Sequence, residues 1–201
     1  MSNPSASSHT PSQVVHPDAP PAKGTKYARW ERERRFLLAR VPKEAAPIWT
    51  SVISDRYIDG TRMRLRRSQE TDGADSRIAF KLTQKIPSAD GSPGLITTTY
   101  LSQEEYEVFF RLPAKSLRKT RLSIPPLGVD IFADRLQGLV LAEAEFDADD
   151  DMARFSPPGF CVAEVTSDQR FTGARLAAVS RQELIEALRS FKVTMLTTQN
   201  L

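Results

Sequence analysis

The chain contains very little cysteine and histidine. Among its 201 residues, Cys161 is the single cysteine, and the two histidines are His9 and His16. One cysteine excludes an internal disulfide and a cysteine-based zinc site, and it suits a reducing cytoplasm. Both histidines lie in a Ser/Pro-rich stretch near the N-terminus. We therefore expect any catalytic proton transfer to use other groups.

Long apolar runs and a strong excess of one charge are also missing. No segment approaches the length of a membrane span, and the first residues show no apolar signal-peptide core. The sequence therefore predicts a cytoplasmic protein without a membrane partner. Its 28 basic and 25 acidic side chains give a net charge of +3. A generic nucleic-acid binder normally has a larger basic excess, so this composition disfavours nucleic acid as a partner.

Composition divides the chain into one domain and two tails. Residues 1–25 are rich in Ser and Pro and lack an apolar period, so they are predicted to be a disordered extension. Residues 26–191 are enough for one domain with a buried core, and residues 192–201 form a C-terminal tail.

Apolar patterns and turn signals predict an α+β fold that is mainly antiparallel β. Strands are expected at 26–38, 57–67, 77–86, 95–101, 116–124, 129–133, 139–146 and 162–166. Helices are expected at 43–51, 103–112, 147–155 and 181–191, two of them capped by Ser102 and Ser180. Eight strands with few flanking helices favour a closed β-barrel, because closure removes exposed strand edges.

Charged residues recur at alternate positions in several of these segments. Side chains two residues apart on a strand share one face, so each set points the same way. Each set alone would fit the solvated face of an amphipathic strand, but together they predict a surface that holds a polyanion with a metal ion. The sets are Glu31, Glu33 and Arg35; Arg62, Arg64 and Arg66; Lys81 and Lys85; Lys119 and Arg121; Glu143 and Glu145.

The segment from Trp30 to Leu38, with sequence WERERRFLL, resembles the E-x-E-x-K signature that opens the CYTH domain of the triphosphate tunnel metalloenzymes. That family includes class IV adenylyl cyclases, thiamine triphosphatases and inorganic triphosphatases. The resemblance covers nearly everything from Tyr27 to Leu176. It continues in order through Arg64-Leu65-Arg66, Leu82-Thr83-Gln84-Lys85, Arg118-Lys119-Thr120-Arg121, Val129-Asp130-Ile131-Phe132, the stretch 141–146 and the stretch 164–171.

The resemblance implies an eight-stranded closed β-tunnel that binds a triphosphate together with Mg²⁺ or Mn²⁺. Hard divalent cations prefer carboxylate oxygens, whereas phosphate oxygens prefer arginine and lysine. The positions that match the metal-binding acids are Glu31, Glu33, Asp130, Glu143 and Glu145. The positions that match the phosphate-binding bases are Arg64, Arg66, Lys85, Lys119 and Arg121.

Two departures from the family pattern affect the chemistry. Arg35 occupies the position of the signature lysine, which in the family is thought to activate the attacking water beside a tyrosine matched here by Tyr57. An arginine keeps its proton in proteins, so Arg35 can orient a water or bind phosphate but cannot act as a base. The second departure lies at Ile96–Leu101, where hydroxyls replace the charges of many relatives.

The sequence therefore predicts a metal-dependent triphosphatase, with inorganic triphosphate as the first substrate. Thiamine triphosphate, a nucleoside triphosphate and cyclisation of ATP fit the same tunnel. The alternative, motivated by Arg35, is a non-catalytic module that binds polyphosphate or nucleotides. RNA binding by the basic strands is disfavoured, because aromatics are not interleaved with the bases and carboxylates share their face.

Overall fold

The structure is a computed structural model, and it describes residues 28–43, 46–72, 75–86 and 94–196. The predicted extension 1–25 lies outside the described residues, as does the second half of the predicted tail 192–201.

One antiparallel sheet of ten strands dominates the molecule, in the order β1-β6-β5-β4-β3-β7-β8-β9-β2-β10. With few helices around it, this architecture confirms the mainly antiparallel α+β prediction. The strands are β1 Arg29–Trp30, β2 Glu33–Leu38, β3 Trp49–Ile58, β4 Met63–Asp72, β5 Asp75–Ile86, β6 Leu95–Leu101, β7 Ala114–Ile124, β8 Leu127–Phe132, β9 Val140–Glu145 and β10 Cys161–Glu164.

The predicted eight-stranded closed barrel is not confirmed, because the hydrogen-bonded order is open and has ten strands. The strand predicted at 26–38 breaks at Glu31 and Arg32 into β1, which pairs with β6, and β2, which pairs with β9. The chain from Trp30 to Glu33 can span at most about 11 Å. The sheet must therefore curl until β1 and β2 lie close together.

The helix predicted at 43–51 is wrong, because strand β3 begins at Trp49 and lies between β4 and β7. Alternate residues of β3 are buried, as expected for a strand with one covered face. Tyr57 was predicted to open the next strand, but it lies near the end of β3. A turn with Gly60 at φ +69°, a conformation that glycine adopts without steric cost, leads to β4.

Within the described part of the chain, four short α-helices flank the sheet: α1 Gln103–Phe110, α2 Asp149–Arg154, α3 Gly173–Ala178 and α4 Arg181–Arg189. The capping boxes predicted at Ser102 and Ser180 are both formed. No helix among the described residues is long and apolar enough to cross a membrane.

The apolar core has two parts. One part packs α3 and α4 over residues of β2, β7, β8 and β9, including Leu117, Phe132 and Leu141. The other part covers the opposite face of β2, β8 and β9 and contains Phe36 and Val129. The concave face of β3 to β6 is instead left to polar and charged side chains.

Candidate functional site

A cavity of about 650 Å³ lies inside the curled sheet. Its wall takes residues from nine strands, β1 to β9, and those from any one strand lie on the same face, which explains why the charges repeat at every second position. The structure brings every residue predicted for the site to this wall except Asp130. The residues in question are Glu31, Glu33, Arg35, Tyr57, Arg64, Arg66, Lys85, Lys119, Arg121, Glu143 and Glu145.

Apolar side chains around α3 close part of the cavity wall. Phe171 and Leu176 line it together with Leu117 from β7. Gly173 at the start of α3 lies against Tyr57, and a Cβ at this position would be 1.9 Å from the tyrosine Oη. Only glycine therefore lets α3 approach Tyr57 this closely.

Asp55 is a functional residue that the sequence reasoning missed. It is 1 % exposed and accepts two hydrogen bonds from Arg66, at 2.7 Å from Nε and 2.8 Å from Nη2. Burial alone would raise the pKa of Asp55, but Arg66 and Arg64 outweigh burial and lower it. We call Asp55, Arg64 and Arg66 the Asp55 cluster. Asp55 lies two residues before Tyr57 on β3, so both side chains share one strand face. This two-residue spacing is the sequence signal that could have identified Asp55 as a cavity residue.

Four carboxylates, Glu31, Glu33, Glu143 and Glu145, line another part of the same cavity. We call this set the acidic side. Glu33 and Glu145 are direct cross-strand partners, so two like charges face each other. Burial raises the pKa of Glu33, and the neighbouring carboxylate of Glu143 raises it further. Burial and Glu143 thus outweigh Lys85 and Arg35, and the charged form of Glu33 is disfavoured.

Bases of the cavity are paired with these acids. Lys85 forms an ion pair with Glu31, and Arg121 forms one with Glu143. Burial would raise the pKa of Glu143, but Arg121 and other nearby bases hold it well below its usual value. The bases predicted to bind phosphate thus form ion pairs with the carboxylates predicted to bind metal.

Asp130 differs from the other predicted metal ligands. It is 1 % exposed and lies opposite Arg121 on the cavity face of the sheet, where it forms an ion pair with Lys119 and accepts two hydrogen bonds of 2.7 Å from Arg121. Burial lowers the pKa of Lys119, although Asp130 opposes this shift. The geometry makes Asp130 an orienting partner of two bases.

Arg35 and Tyr57 have surroundings that keep both of them protonated. Arg35 is 7 % exposed and forms ion pairs with Glu33 and, at 3.4 Å, with Glu143. Burial would lower the pKa of Arg35, but these carboxylates raise it above its usual value. Burial, with a contribution from Asp55, raises the pKa of Tyr57.

Strand β6 gives the cavity hydroxyl and aromatic groups, as its sequence indicated. Thr98 lines the cavity and is 3.1 Å from the hydroxyl of Thr83, which accepts a hydrogen bond of 3.5 Å from Arg64. Tyr100 lies under the ammonium group of Lys81, 5.0 Å from nitrogen to ring centre. This side of the wall is therefore less charged than the others.

The donor set fits a hard divalent cation, because the acidic side offers several carboxylate oxygens and includes a like-charge pair. Within the described ranges, no three acidic, histidine or cysteine side chains converge closely enough to hold a metal ion. The ion pairs with Lys85, Arg35 and Arg121 explain this separation. The carboxylates would have to leave these bases to converge on a metal.

Comparison with known proteins finds sequence similarity to a curated enzyme. An inorganic triphosphatase from Nitrosomonas europaea is 29 % identical over 159 residues, which cover 73 % of this chain and 96 % of the relative. No family model matches the chain.

Solved structures with some similarity include an inorganic triphosphatase, with 24 % identity, a TM-score of 0.49 and coverage of 74 % of this chain and 95 % of that one. A protein from Pyrococcus horikoshii has 14 % identity, a TM-score of 0.41 and coverage of 85 % and 97 %. Because these scores are low, the resemblance depends on the ordered motifs, their convergence on one cavity and the sequence relative. On these grounds, the chain is similar to the CYTH-type family of triphosphate tunnel proteins.

Proposed function

We propose that the protein is a divalent-metal-dependent hydrolase of triphosphate-containing substrates, with inorganic triphosphate as its substrate. The observation that carries this proposal is the cavity inside the curled sheet, whose wall contains both bases and carboxylates. The name of its relative, inorganic triphosphatase, supports the same reaction class.

The bases of β4, β5 and β7 would bind the phosphate oxygens. Arg66 is held by Asp55 and Arg121 by Asp130, so both guanidinium groups are oriented before substrate arrives. Preorganised donors stabilise developing charge without rearranging during the reaction. Lys85 and Arg121 also pair with Glu31 and Glu143, so each must exchange a carboxylate for phosphate.

The acidic side would hold Mg²⁺ or Mn²⁺ through Glu31, Glu33, Glu143 and Glu145. When bound, the metal would neutralise phosphate charge and lower the pKa of a coordinated water. A triphosphate that attracts Lys85 and Arg121 would free Glu31 and Glu143 from their ion pairs. Substrate binding and carboxylate availability are therefore coupled through these two bases.

Arg35 and Tyr57 would orient the reacting groups and would not accept a proton. The carboxylates beside Arg35 favour its charged form, and burial favours the neutral, protonated hydroxyl of Tyr57. Both can donate a hydrogen bond to a phosphate oxygen or position a water. Activation of the water is assigned to the metal site.

A second candidate function is non-catalytic binding of polyphosphate or nucleotides. The same observation on Arg35 and Tyr57 favours it, because neither residue can serve as a general base. Binding without phosphate release would identify this function.

Phosphate release from the purified protein tests the two functions. The substrates are triphosphate, ATP, thiamine triphosphate and long polyphosphate, each with Mg²⁺, with Mn²⁺ or with chelator. We expect release from triphosphate only with metal, and a loss of several orders of magnitude in E145Q. E186Q, on the exposed surface of α4, is the matched control and should keep full activity. Full activity in chelator would contradict metal dependence.

A further inference from the structure

Ser51 has a buried hydroxyl without a partner. The residue is 1 % exposed, and its Oγ has no hydrogen-bond partner. Among the described residues, the only other buried side-chain nitrogen or oxygen atoms without a hydrogen-bond partner are Nε of Arg56 and Nε of Arg64. Ser51 and Arg64 both line the cavity. Buried hydroxyls nearly always have a partner, so an orphan in a cavity wall points to a ligand.

The strand register shows which chemistry surrounds this hydroxyl. Ser51 lies on the central strand β3, opposite Arg121 of β7 and Glu70 of β4. Lys119, on the same face of β7, is paired with the next inward residue of β3, Ile53. Arg121 directs Nε and Nη2 to Asp130 and Glu143 and makes no hydrogen bond to Ser51. The hydroxyl is therefore a donor without an acceptor, and its charged cross-strand neighbours are Arg121, Lys119 and the carboxylate of Glu70.

A ligand atom beside Ser51 should be an anionic oxygen acceptor. The two bases attract negative charge, and the hydroxyl can supply a short directional hydrogen bond to it.

We propose that Ser51 contacts the substrate and donates its hydroxyl hydrogen to an oxygen of the phosphoryl group held by Arg121. This inference rests on the proposed function for the identity of the anion. Six residues of extended strand separate Ser51 from Tyr57, a distance of roughly 20 Å. A triphosphate is shorter than this distance, so Ser51 and Tyr57 do not contact the same phosphoryl group, and Ser51 assigns one phosphoryl group to the Arg121 end of the cavity.

Calorimetric binding of inorganic triphosphate to the parent protein, S51A and S54A tests this role. Ser54 is the matched control, because it lies on β3 but faces away from the cavity. Binding is measured with and without Mg²⁺, phosphate release is assayed in the same samples, and melting is recorded for the empty proteins. We expect S51A to bind roughly tenfold more weakly, the effect of losing a hydrogen bond to a charged group. S54A should bind as the parent does.

The melting temperature separates a ligand contact from a structural one. Because Oγ has no partner in the empty protein, S51A should melt at the parent temperature or above it. Unchanged affinity in S51A, or a lower melting temperature, overturns the proposal. A parent that binds triphosphate but releases no phosphate overturns the hydrolase function alone, since the affinity comparison still decides the role of Ser51. A parent that binds no triphosphate overturns both.

Discussion

The Asp55 cluster and the acidic side contain the same kinds of residues but have opposite electrostatic balance. In the cluster, one carboxylate meets two arginines and its pKa is lowered. On the acidic side, Glu33 lies among other carboxylates and its pKa is raised, although Arg35 is its ion-pair partner. The first arrangement is satisfied within the protein. The second leaves the charged form of Glu33 disfavoured, mainly through burial.

This difference separates residues that shape the cavity from residues that are available to a ligand. Asp55 holds Arg66 in a bidentate pair, and breaking such a buried pair leaves an uncompensated charge. The raised pKa of Glu33 means that its charged form is disfavoured in the folded protein. Replacing it with a neutral residue should therefore lower the free energy of unfolding very little. Substitutions in the two regions should therefore affect stability and activity in different ways.

Removing the charge of Asp55 should produce the largest loss of stability. D55N leaves Arg66 buried without its carboxylate, and we expect the free energy of unfolding to fall by about 3–5 kcal/mol. Denaturant unfolding measures this loss. D149N, which breaks the exposed ion pair with Arg32, is the matched control and should behave as the parent does. A fully stable D55N would show that the cluster is not an electrostatic unit.

Removing Lys85 should weaken catalysis while sparing the fold. This base is 36 % exposed and pairs with Glu31 in the empty protein, so K85A leaves no deeply buried charge unpaired. We expect a loss of about 1.5–3 kcal/mol in kcat/KM, the range for a hydrogen bond to a charged group. Steady-state kinetics measure it, with K115A outside the cavity as control. Unchanged kinetics in K85A would remove Lys85 from the phosphate-binding set.

Neutralising Glu33 should leave the empty protein equally stable or slightly more stable. A carboxyl with a raised pKa favours folding while protonated, and this contribution is lost as pH rises through the raised pKa. E33Q should therefore weaken the dependence of the free energy of unfolding on pH in this range.

Asp55 acts in the opposite sense, because its lowered pKa adds stability above about pH 4 that is lost in stronger acid. Melting temperatures across pH test both signs, and marked destabilisation of E33Q at neutral pH would contradict the comparison.

Replacing Arg35 with lysine should have the smallest effect. A lysine acts as a base at neutral pH only when its pKa is lowered, but the neighbours of Arg35 are the carboxylates Glu33 and Glu143. R35K should therefore keep the rate within about tenfold of the parent and leave the pH profile unshifted. A large gain in phosphate release with a shifted profile would show that a proton-accepting lysine was missing.

Local patterns predicted much of the fold and the site. The alternation of charges identified the cavity wall because it depends only on strand periodicity. The caps at Ser102 and Ser180 formed as expected, since they need only neighbouring residues. Strand β3 was missed because a strand can tolerate the mixed polar sequence that precedes Asp55 when its neighbours supply the pairing.

The sequence by itself determined which residues carry charge, which of them share a strand face and which family motifs they resemble. Only the tertiary structure decided which charges meet. It placed Asp130 between Lys119 and Arg121, brought Asp55 to Arg66 and left the hydroxyl of Ser51 without a partner. These outcomes depend on the register between strands distant in sequence and on the curl of the sheet. Both are set by the packing of the whole domain, which no local periodicity encodes.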